Sequence, residues 1–239
     1  SKDPAFPILA LIVSGGHTEL VLMRSHFHYE ILGETGDDAA GEAFDKVARM
    51  LGLPYPGGPH IAERASVHRQ SANDKHPSLC QPFPRPLIGS GDFRFSFSGL
   101  KTSVLYFLKK HPDKLLDPSF VNAVCFEFQE SVVETLTRKT EKAIQRYQPK
   151  SVIIAGGVSA NTELRTRIST LVSRQFPGTT FFVPPIKYSL DNAAMIAAAA
   201  LFRWEFSSPR ERELARNSWK TLRTDPNLPL GSLNPQKAK

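Results

Sequence analysis

Two pairs of glycine residues follow apolar stretches of the sequence and indicate possible ligand-binding turns. The first pair lies in Ser14-Gly15-Gly16-His17-Thr18, between the apolar runs 8–13 and 18–23. Glycine has no Cβ, so the main-chain amides of such a turn can approach a ligand closely. Consecutive amides form an anion-binding nest, to which the Ser14 and Thr18 hydroxyls would add donors. The turn is therefore either a phosphate-binding element or a simple β-turn.

The second pair, Gly156 and Gly157, lies between an apolar run that ends at Ala155 and a predicted helix that begins near Asn161 or Thr162. In α/β sheets, phosphate and nucleoside groups bind at such strand-to-helix turns. The Asn161 amide could bond a nucleotide, or it could cap the helix. We expect both glycine turns to face one shared pocket.

Three further residues are candidates for the same site. Asp45 lies within a predicted helix, where such a residue is either a solvated side chain or a polar contact to a ligand. Gly58 belongs to a Pro-Gly-Gly-Pro turn. Asp191 opens an alanine-rich helix, and its carboxylate either caps that helix or holds a cation. The sequence contains no HxxxH pair, no complete set of metal ligands and no Ser/His/Asp triad that spacing alone identifies.

The elements that must position these residues are predicted to be mixed α and β. Strands are predicted at 8–13, 18–23 and 28–32, and again at the apolar run before Gly156 and at 180–183. Helices are predicted at 37–51 with Asp37 or Asp38 as the cap, from about Pro59, from Ser98, at 118–147, from Asn161 and at 191–206. The aromatic residues Phe93, Phe95 and Phe97 are predicted to lie on one face of a strand. Residues 70–91 are expected to form a loop, and residues 207–239 an irregular tail.

The composition limits the class of protein. Of the 239 residues, 41% are hydrophobic and 22% are charged, as in globular proteins. No apolar run approaches the roughly 20 residues that a membrane helix needs. Cys80 and Cys125 are too few for a disulfide framework, so we expect two reduced thiols. The net charge of +7 and the pI of about 9.5 fit either an RNA partner or a solvated basic surface.

Five motifs, taken in order, resemble one known family: LIVSGGHTEL, GDDAAGEAFDKVARMLGLPYPGGP, FSFSGLKTSV, IIAGGVSANTELR and DNAAMIAAAA. They are similar to the tRNA N6-adenosine threonylcarbamoyltransferases, formerly called O-sialoglycoprotein endopeptidases, over roughly residues 8–205. The third motif is more like the bacterial and mitochondrial branch than the cytosolic and archaeal one. The resemblance implies an α/β actin-like ATPase fold with two ribonuclease-H-like lobes. Residues 1–206 would be the second lobe, with a helical insertion at about 59–147 and a connecting helix at 191–206.

The resemblance also implies an activity and a set of site residues. Members transfer threonylcarbamoyl from threonylcarbamoyl-adenylate to N6 of adenosine 37 in tRNAs that read ANN codons. Asp191 would be a ligand of one divalent metal ion, iron or zinc. The adenylate-binding positions carried over from the family are Ile12, Val13, Ser14, Gly15, Gly16, Asp45, Gly58 and Asn161. The expected partners are tRNA, the adenylate and either a second copy of the chain or other proteins of the modification pathway, with no membrane. The expected compartment is the mitochondrial matrix, with the cytoplasm as the alternative.

The family's first lobe, which carries an HxxxH metal pair, has no counterpart in this sequence. We therefore expect two of the three protein ligands to the metal to lie outside it, and this chain alone to be inactive. The alternative is a non-catalytic module of the same family that binds a nucleotide or a partner. A sugar or acid kinase of the same fold would share the glycine turns, but not SGGHTEL together with FSFSGLKTSV.

Overall fold

The computed structural model describes residues 3–71, 82–189, 191–221 and 223. The strands are β1 (Ile8–Val13), β2 (Thr18–Ser25), β3 (His28–Glu34), β4 (Ser151–Ala155) and β5 (Thr180–Phe182). The helices are α1 (Ala40–Met50), α2 (Gly57–Ser71), α3 (Ser98–Lys109), α4 (Pro118–Tyr147), α5 (Thr162–Gln175), α6 (Ala193–Glu205) and α7 (Pro209–Asn217). Short 3-10 turns lie at Pro112–Leu116, Gly157–Ala160, Ile186–Tyr188 and Ser218–Lys220.

The strands form one mixed sheet in the order β3-β2-β1-β4-β5. Strand β1 pairs antiparallel with β2 and parallel with β4, which in turn pairs parallel with β5. Because β1, β4 and β5 run in the same direction, their carboxyl ends lie at the same edge of the sheet. The two glycine turns follow β1 and β4, so this topology brings both turns to one edge.

Strand β1 shows why the two faces of the sheet differ. Its side chains alternate, as the period of two requires: Leu9, Leu11 and Val13 are fully buried, whereas Ala10 and Ile12 on the opposite face are partly exposed. The buried face belongs to a core shared with α1, α2 and α4. Phe44 of α1 meets Phe128 of α4 edge to face there, with ring centroids 5.1 Å apart. The partly exposed face is the one left for a ligand.

The start of α1 differs from the prediction. The helix begins at Ala40, and its N-cap residue Ala39 makes no side-chain capping hydrogen bond. Asp37 instead accepts hydrogen bonds from the hydroxyls of Ser96 (2.6 Å) and Ser98 (2.7 Å) and from the Phe97 amide (2.8 Å). Partial burial would raise the pKa of the Asp37 carboxyl, but these donors hold it below its ordinary value of 3.8. Asp37 therefore stabilises the start of α3, not that of α1.

The predicted strand at Phe93–Phe97 is wrong. Only an isolated bridge joins Phe95 to Thr35 in this segment. Phe93, Phe95 and Phe97 are all buried in the core, whereas the residues between them are polar. This alternation looks like a strand in the sequence, although the segment does not belong to a strand of the sheet. The other boundaries shift by a few residues: β3 extends to Glu34, and α2 begins at Gly57.

The region after residue 206 is not irregular throughout, contrary to the prediction. Helix α7 begins after a capping box, in which Ser208 and Glu211 exchange hydrogen bonds between side chain and backbone. A Ser-Pro-Arg-Glu start with this chemistry is a helix signal, although the surrounding composition is polar. Residues 222 and 224–239 of the tail lie outside the described residues, as do residues 72–81 of the predicted loop.

The composition led to two predictions, one about membrane-spanning helices and one about the state of the two cysteines. In the described part of the chain, no helix is long and apolar enough to cross a membrane. Cys125 is a free, buried thiol, and burial raises its pKa to about 12. Cys80 lies outside the described residues.

Candidate functional site

The first glycine turn connects β1 to β2 and is closed by its own serine. The Ser14 amide donates to the His17 carbonyl (2.8 Å), and the Ser14 hydroxyl accepts from the amides of His17 (3.0 Å) and Gly16 (3.3 Å). Three amides of the turn, those of Ser14, Gly16 and His17, are therefore already engaged. An added Cβ on Gly15 or Gly16 would meet nothing within 4 Å. Packing inside the protein therefore does not require glycine at either position. The small size of Gly15 and Gly16 matters only on the open side of the turn, where a ligand could approach the backbone.

Thr18 does not supply a donor to a ligand, contrary to the prediction. Its side chain is fully buried, and its hydroxyl accepts from the Ala40 amide at 2.9 Å. The Gly41 amide donates to the Ser14 carbonyl at 3.1 Å, and an added Cβ at Gly41 would come within 2.6 Å of that oxygen. These contacts hold the first turn of α1 directly against the glycine turn.

The second glycine turn packs against the first. Gly156 has φ of +87°, a conformation that L side chains rarely adopt. An added Cβ there would lie 2.3 Å from the Val13 carbonyl oxygen and 3.3 Å from the Ser14 Cβ. Only glycine allows the chain after β4 to pass this close to the end of β1. The prediction that both turns lie together is therefore confirmed.

A cavity of about 590 Å³ opens beside the two turns. Its walls come from the carboxyl ends of the three parallel strands, from the segment after β5 and from the start of α6. The lining residues are Ile12, Ser14, Ile153, Ile154, Ala155, Gly156, Phe182, Val183, Pro184, Tyr188, Ser189, Asp191 and Met195. The lining is mostly apolar, with hydroxyl groups from Ser14, Tyr188 and Ser189 and the single carboxylate of Asp191. Such a lining suits a flat apolar group with a few polar substituents.

Asp45 and Gly58 lie together, but they do not line this cavity. The Asp45 carboxylate accepts a hydrogen bond from the Gly57 amide at 2.7 Å and so fixes the start of α2. An added Cβ on Gly57 would lie 2.4 Å from the Ala48 Cβ, so glycine allows α2 to approach α1. Asp45 is four residues beyond Gly41, which places both on the side of α1 that faces the first glycine turn.

Asn161 occupies the capping position, the plainer of its two predicted roles. Its side-chain oxygen accepts from the Leu164 amide (3.0 Å), and its side-chain nitrogen donates to the Gln129 side-chain oxygen (2.8 Å). Both ends of the amide therefore have protein partners. Asn161 fixes the start of α5 and ties it to α4, and it is not among the cavity-lining residues.

Asp191 is an exposed residue at the edge of the cavity and is not the cap of α6. That role belongs to Asn192, whose side chain accepts from the Met195 amide at 3.0 Å. Among the described residues, no group of three or more His, Cys, Asp or Glu side chains could hold a metal ion. One carboxylate does not fit a complete iron or zinc site, which takes several protein ligands.

Two residues that the motifs did not single out connect the cavity to the second glycine turn. Arg165 of α5 donates to the Ser159 carbonyl in that turn and, at 3.1 Å, to the Ser189 hydroxyl in the cavity wall. Ser189 is buried. The sequence signal that could have identified Arg165 is its position four residues after Asn161. This spacing is about one turn of helix, so Arg165 lies on the side of α5 that faces the second glycine turn.

A second groove, of about 460 Å³, runs between α4 and α5. None of the predicted site residues lines it. Of the predicted site residues, Ile12, Ser14 and Asp191 line the cavity beside the glycine turns, whereas Val13, Gly15, Gly16, Asp45, Gly58 and Asn161 are not among its lining residues.

Comparison with known proteins shows the family of the chain. The family model described as tRNA N6-adenosine threonylcarbamoyltransferase matches residues 1–198. The chain belongs to this family.

Curated relatives with that name support the assignment. The chain is 47% identical to the Bacillus licheniformis protein over 206 residues, which are 85% of this chain and 57% of the relative. It is 44% identical to the Geobacillus thermodenitrificans protein over 228 residues, 94% of this chain and 60% of the relative. The chain thus spans less than two thirds of the length of the threonylcarbamoyltransferases it matches. All of the predicted site residues lie within the range that the family model covers.

Proposed function

We propose that this chain supplies the adenylate-binding part of a tRNA N6-adenosine threonylcarbamoyltransferase. In the proposed reaction, N6 of adenosine 37 in a tRNA that reads ANN codons forms a bond to the carbamoyl carbon of threonylcarbamoyl-adenylate. The bond from that carbon to the phosphate oxygen breaks, and AMP leaves. The observation that carries this proposal is the single cavity shared by Ser14 of the first glycine turn, Gly156 of the second and Asp191.

The walls of the cavity suggest how an adenylate would bind. Ile12, Ile154 and Val183 provide an apolar surface for the adenine ring. The hydroxyls of Ser14 and Ser189 in the cavity wall suit the ribose and the phosphate, and the open glycine turn at 15–16 next to Ser14 leaves space for the phosphate. In this arrangement Asp45 and Asn161 act indirectly, because they fix the helix starts that hold the two glycine turns in place. Arg165 acts in the same way on Ser189.

We also propose that the active enzyme needs polypeptide outside this sequence. Helix α6 has an apolar composition, yet none of its residues is buried. Together with the single candidate ligand Asp191, this supports a second lobe of the actin-like fold whose first lobe would cover α6. The additional polypeptide would then supply the other ligands to an iron or zinc ion, which would polarise the carbamoyl carbonyl. By itself the chain would bind the adenylate without turnover.

The proposed compartment is the mitochondrial matrix, on the strength of the FSFSGLKTSV motif and the pI of about 9.5. The two relatives named above are bacterial proteins. Imaging of the tagged full-length protein in cells, with a matrix marker, tests the compartment.

The site is tested by filling the cavity from α6. Met195 lines the cavity, whereas the neighbouring Ile196 does not, and both side chains are substantially exposed. We expect Met195→Trp to weaken binding of AMP and of threonylcarbamoyl-adenylate about tenfold or more, because such a pocket buries most of its ligand. Isothermal titration calorimetry of the 239-residue chain measures this affinity.

The matched control is Ile196→Trp, which adds the same ring outside the cavity and should leave the affinity unchanged. Equal affinity in both variants and in the parent chain would show that the adenylate binds elsewhere. A transfer assay with the chain alone and with an added first lobe tests the need for additional polypeptide. Full turnover by the chain alone would contradict it.

A further inference from the structure

The C-terminal end of the described chain carries cationic side chains over two tryptophan rings, of which Trp204 is half-buried and Trp219 is exposed. The guanidinium groups of Arg212 and Arg216 lie 5.5 Å and 5.3 Å from the Trp204 ring centroid. The Lys220 ammonium lies 5.2 Å from the ring centroid of Trp219. Arg212 and Arg216 are four residues apart and so lie on one face of α7. These five residues form what we call the α7 basic–aromatic surface.

The charge of this region is not neutralised locally. Residues 203–223 contain six arginine or lysine residues and three glutamates. One glutamate, Glu211, is used in the capping box of α7. Within the part of the chain that the structure describes, neither Arg216 nor Lys220 forms an ion pair. By contrast, Arg69 and Arg167 between α2, α4 and α5 both pair with Glu130 and Glu163.

The aromatic rings of the surface are not required by the core. Trp219 is 70% exposed, and leaving so large an apolar ring in water is unfavourable unless it contacts something else. An indole ring offers a flat surface on which an unpaired base can stack, whatever its identity. The Lys220 ammonium beside the Trp219 ring, like the arginines over Trp204, attracts phosphate groups.

We propose that the α7 basic–aromatic surface binds a single-stranded loop of the substrate RNA. The inference rests on the proposed function only for the choice of substrate. Planar arginine groups and aromatic rings are what proteins use to hold unpaired bases in RNA loops. The uncompensated positive charge favours a polyanion such as RNA as the partner. The surface also lies outside residues 1–198, the range matched by the family model.

The surface lies close enough to the cavity to act on the same RNA. Met195 near the start of α6 lines the cavity, and Trp204 near its end belongs to the basic–aromatic surface. The two positions are nine residues apart on one helix, or about 14 Å along its axis. A loop of a few nucleotides can extend over that distance, so α6 would set the spacing between the bound RNA loop and the adenylate.

Binding of a fluorescently labelled anticodon stem-loop to the 239-residue chain tests this inference. Fluorescence anisotropy is measured at several salt concentrations between about 50 and 200 mM. We expect Trp219→Ala to weaken binding about tenfold, since it removes the ring on which a base stacks. We expect the double variant Arg216→Glu and Lys220→Glu to weaken it further and to lower the salt slope by about two, one for each phosphate that is no longer neutralised.

The controls carry comparable changes elsewhere on the surface: one removes an exposed aromatic ring and the other reverses one exposed positive charge. Tyr106 is 60% exposed, and Arg174 is an exposed arginine on α5. Tyr106→Ala and Arg174→Glu should leave RNA affinity unchanged. Thermal denaturation followed by circular dichroism verifies that each variant is folded. RNA affinity that is unaffected in the α7 variants, or equally reduced in the controls, would overturn the proposal.

Two further measurements separate this inference from other possibilities. Calorimetry with AMP should give the same affinity for the α7 variants and the parent chain. If the parent chain fails to bind AMP but binds RNA through α7, the proposed function is wrong and this inference stands. If sedimentation shows a dimer that Trp219→Ala dissociates while RNA binding is unchanged, the surface is a protein interface and this inference is wrong.

Discussion

Helices α4 and α6 are both rich in apolar residues, yet their surroundings are opposite. Half of the 30 residues of α4 are buried, and its start is fixed by Asp117, which accepts a hydrogen bond from the Ser119 amide. Helix α6 has 13 residues, none of them buried. The chain itself covers α4 on several sides with α2, α5 and the sheet. It leaves the apolar surface of α6 uncovered.

The contacts of α6 are made near its ends. Met195 lines the cavity, and Phe202 stacks on His26 of the β2–β3 turn with ring centroids 5.4 Å apart. Between them, Ile196 is 64% exposed. An uncovered apolar helix beside a ligand cavity indicates a contact with other polypeptide. The difference between the two helices is that α4 lies in the core of this chain, whereas α6 lies at its surface, where we propose that other polypeptide covers it.

The largest expected effect comes from the covered helix. Phe128 is fully buried in α4 and packs on Phe44. Phe128→Ala should lower the free energy of unfolding by about 3–5 kcal/mol, because it removes a buried ring and leaves a cavity. Urea denaturation followed by circular dichroism measures this change. A loss below about 1 kcal/mol would mean that α4 is not the central helix of the core.

An intermediate effect is expected at the two helix caps. Asp117→Ala should lower the free energy of unfolding by about 1 kcal/mol, since it leaves an amide of a docked helix without its acceptor. Asn192→Ala removes the corresponding cap from α6 and should mainly increase amide hydrogen exchange in the first turn of that helix. If both variants lose the same global stability, α6 is as firmly docked as α4 and the contrast between the two helices fails.

The smallest effect is expected on the uncovered face of α6. Ile196→Ser should change the free energy of unfolding of this chain by less than about 0.5 kcal/mol, because the side chain is already largely in water. In the full-length protein, where other polypeptide would cover α6, the same substitution should be clearly destabilising. Parallel denaturation of both forms makes the measurement. Equal insensitivity in the two forms would show that α6 stays exposed.

Much of the fold could be predicted because its signals are local. The alternation in β1, the stripe of α4 and the glycines before α5 each follow from neighbours in sequence, and these elements are present. The strand predicted at Phe93–Phe97 failed because burial of alternate residues does not by itself create a pairing partner. Helix α7 was missed because its polar composition outweighed the Ser208–Glu211 capping box.

The sequence predicted where the site lies, but not the roles of its polar residues. Glycine pairs after two apolar runs indicated a shared pocket, and Ser14 and Gly156 do meet there. Which polar groups remain free for a ligand depends on partners distant in sequence. Thr18 bonds to Ala40, 22 residues away, and the Asn161 amide bonds to Gln129, 32 residues away. No local pattern in the sequence reveals those pairings.

The sequence by itself determined the family, the mixed α/β class and the two glycine turns, because motif spacing and side-chain periodicity are properties of the chain alone. Only the tertiary structure decided that Asp45, Thr18 and Asn161 hold helix starts, and that Ser189 joins Ser14 and Asp191 at the cavity. The physical reason is that a polar group is available to a ligand only if no nearer protein group satisfies it. That choice is made when distant segments pack together.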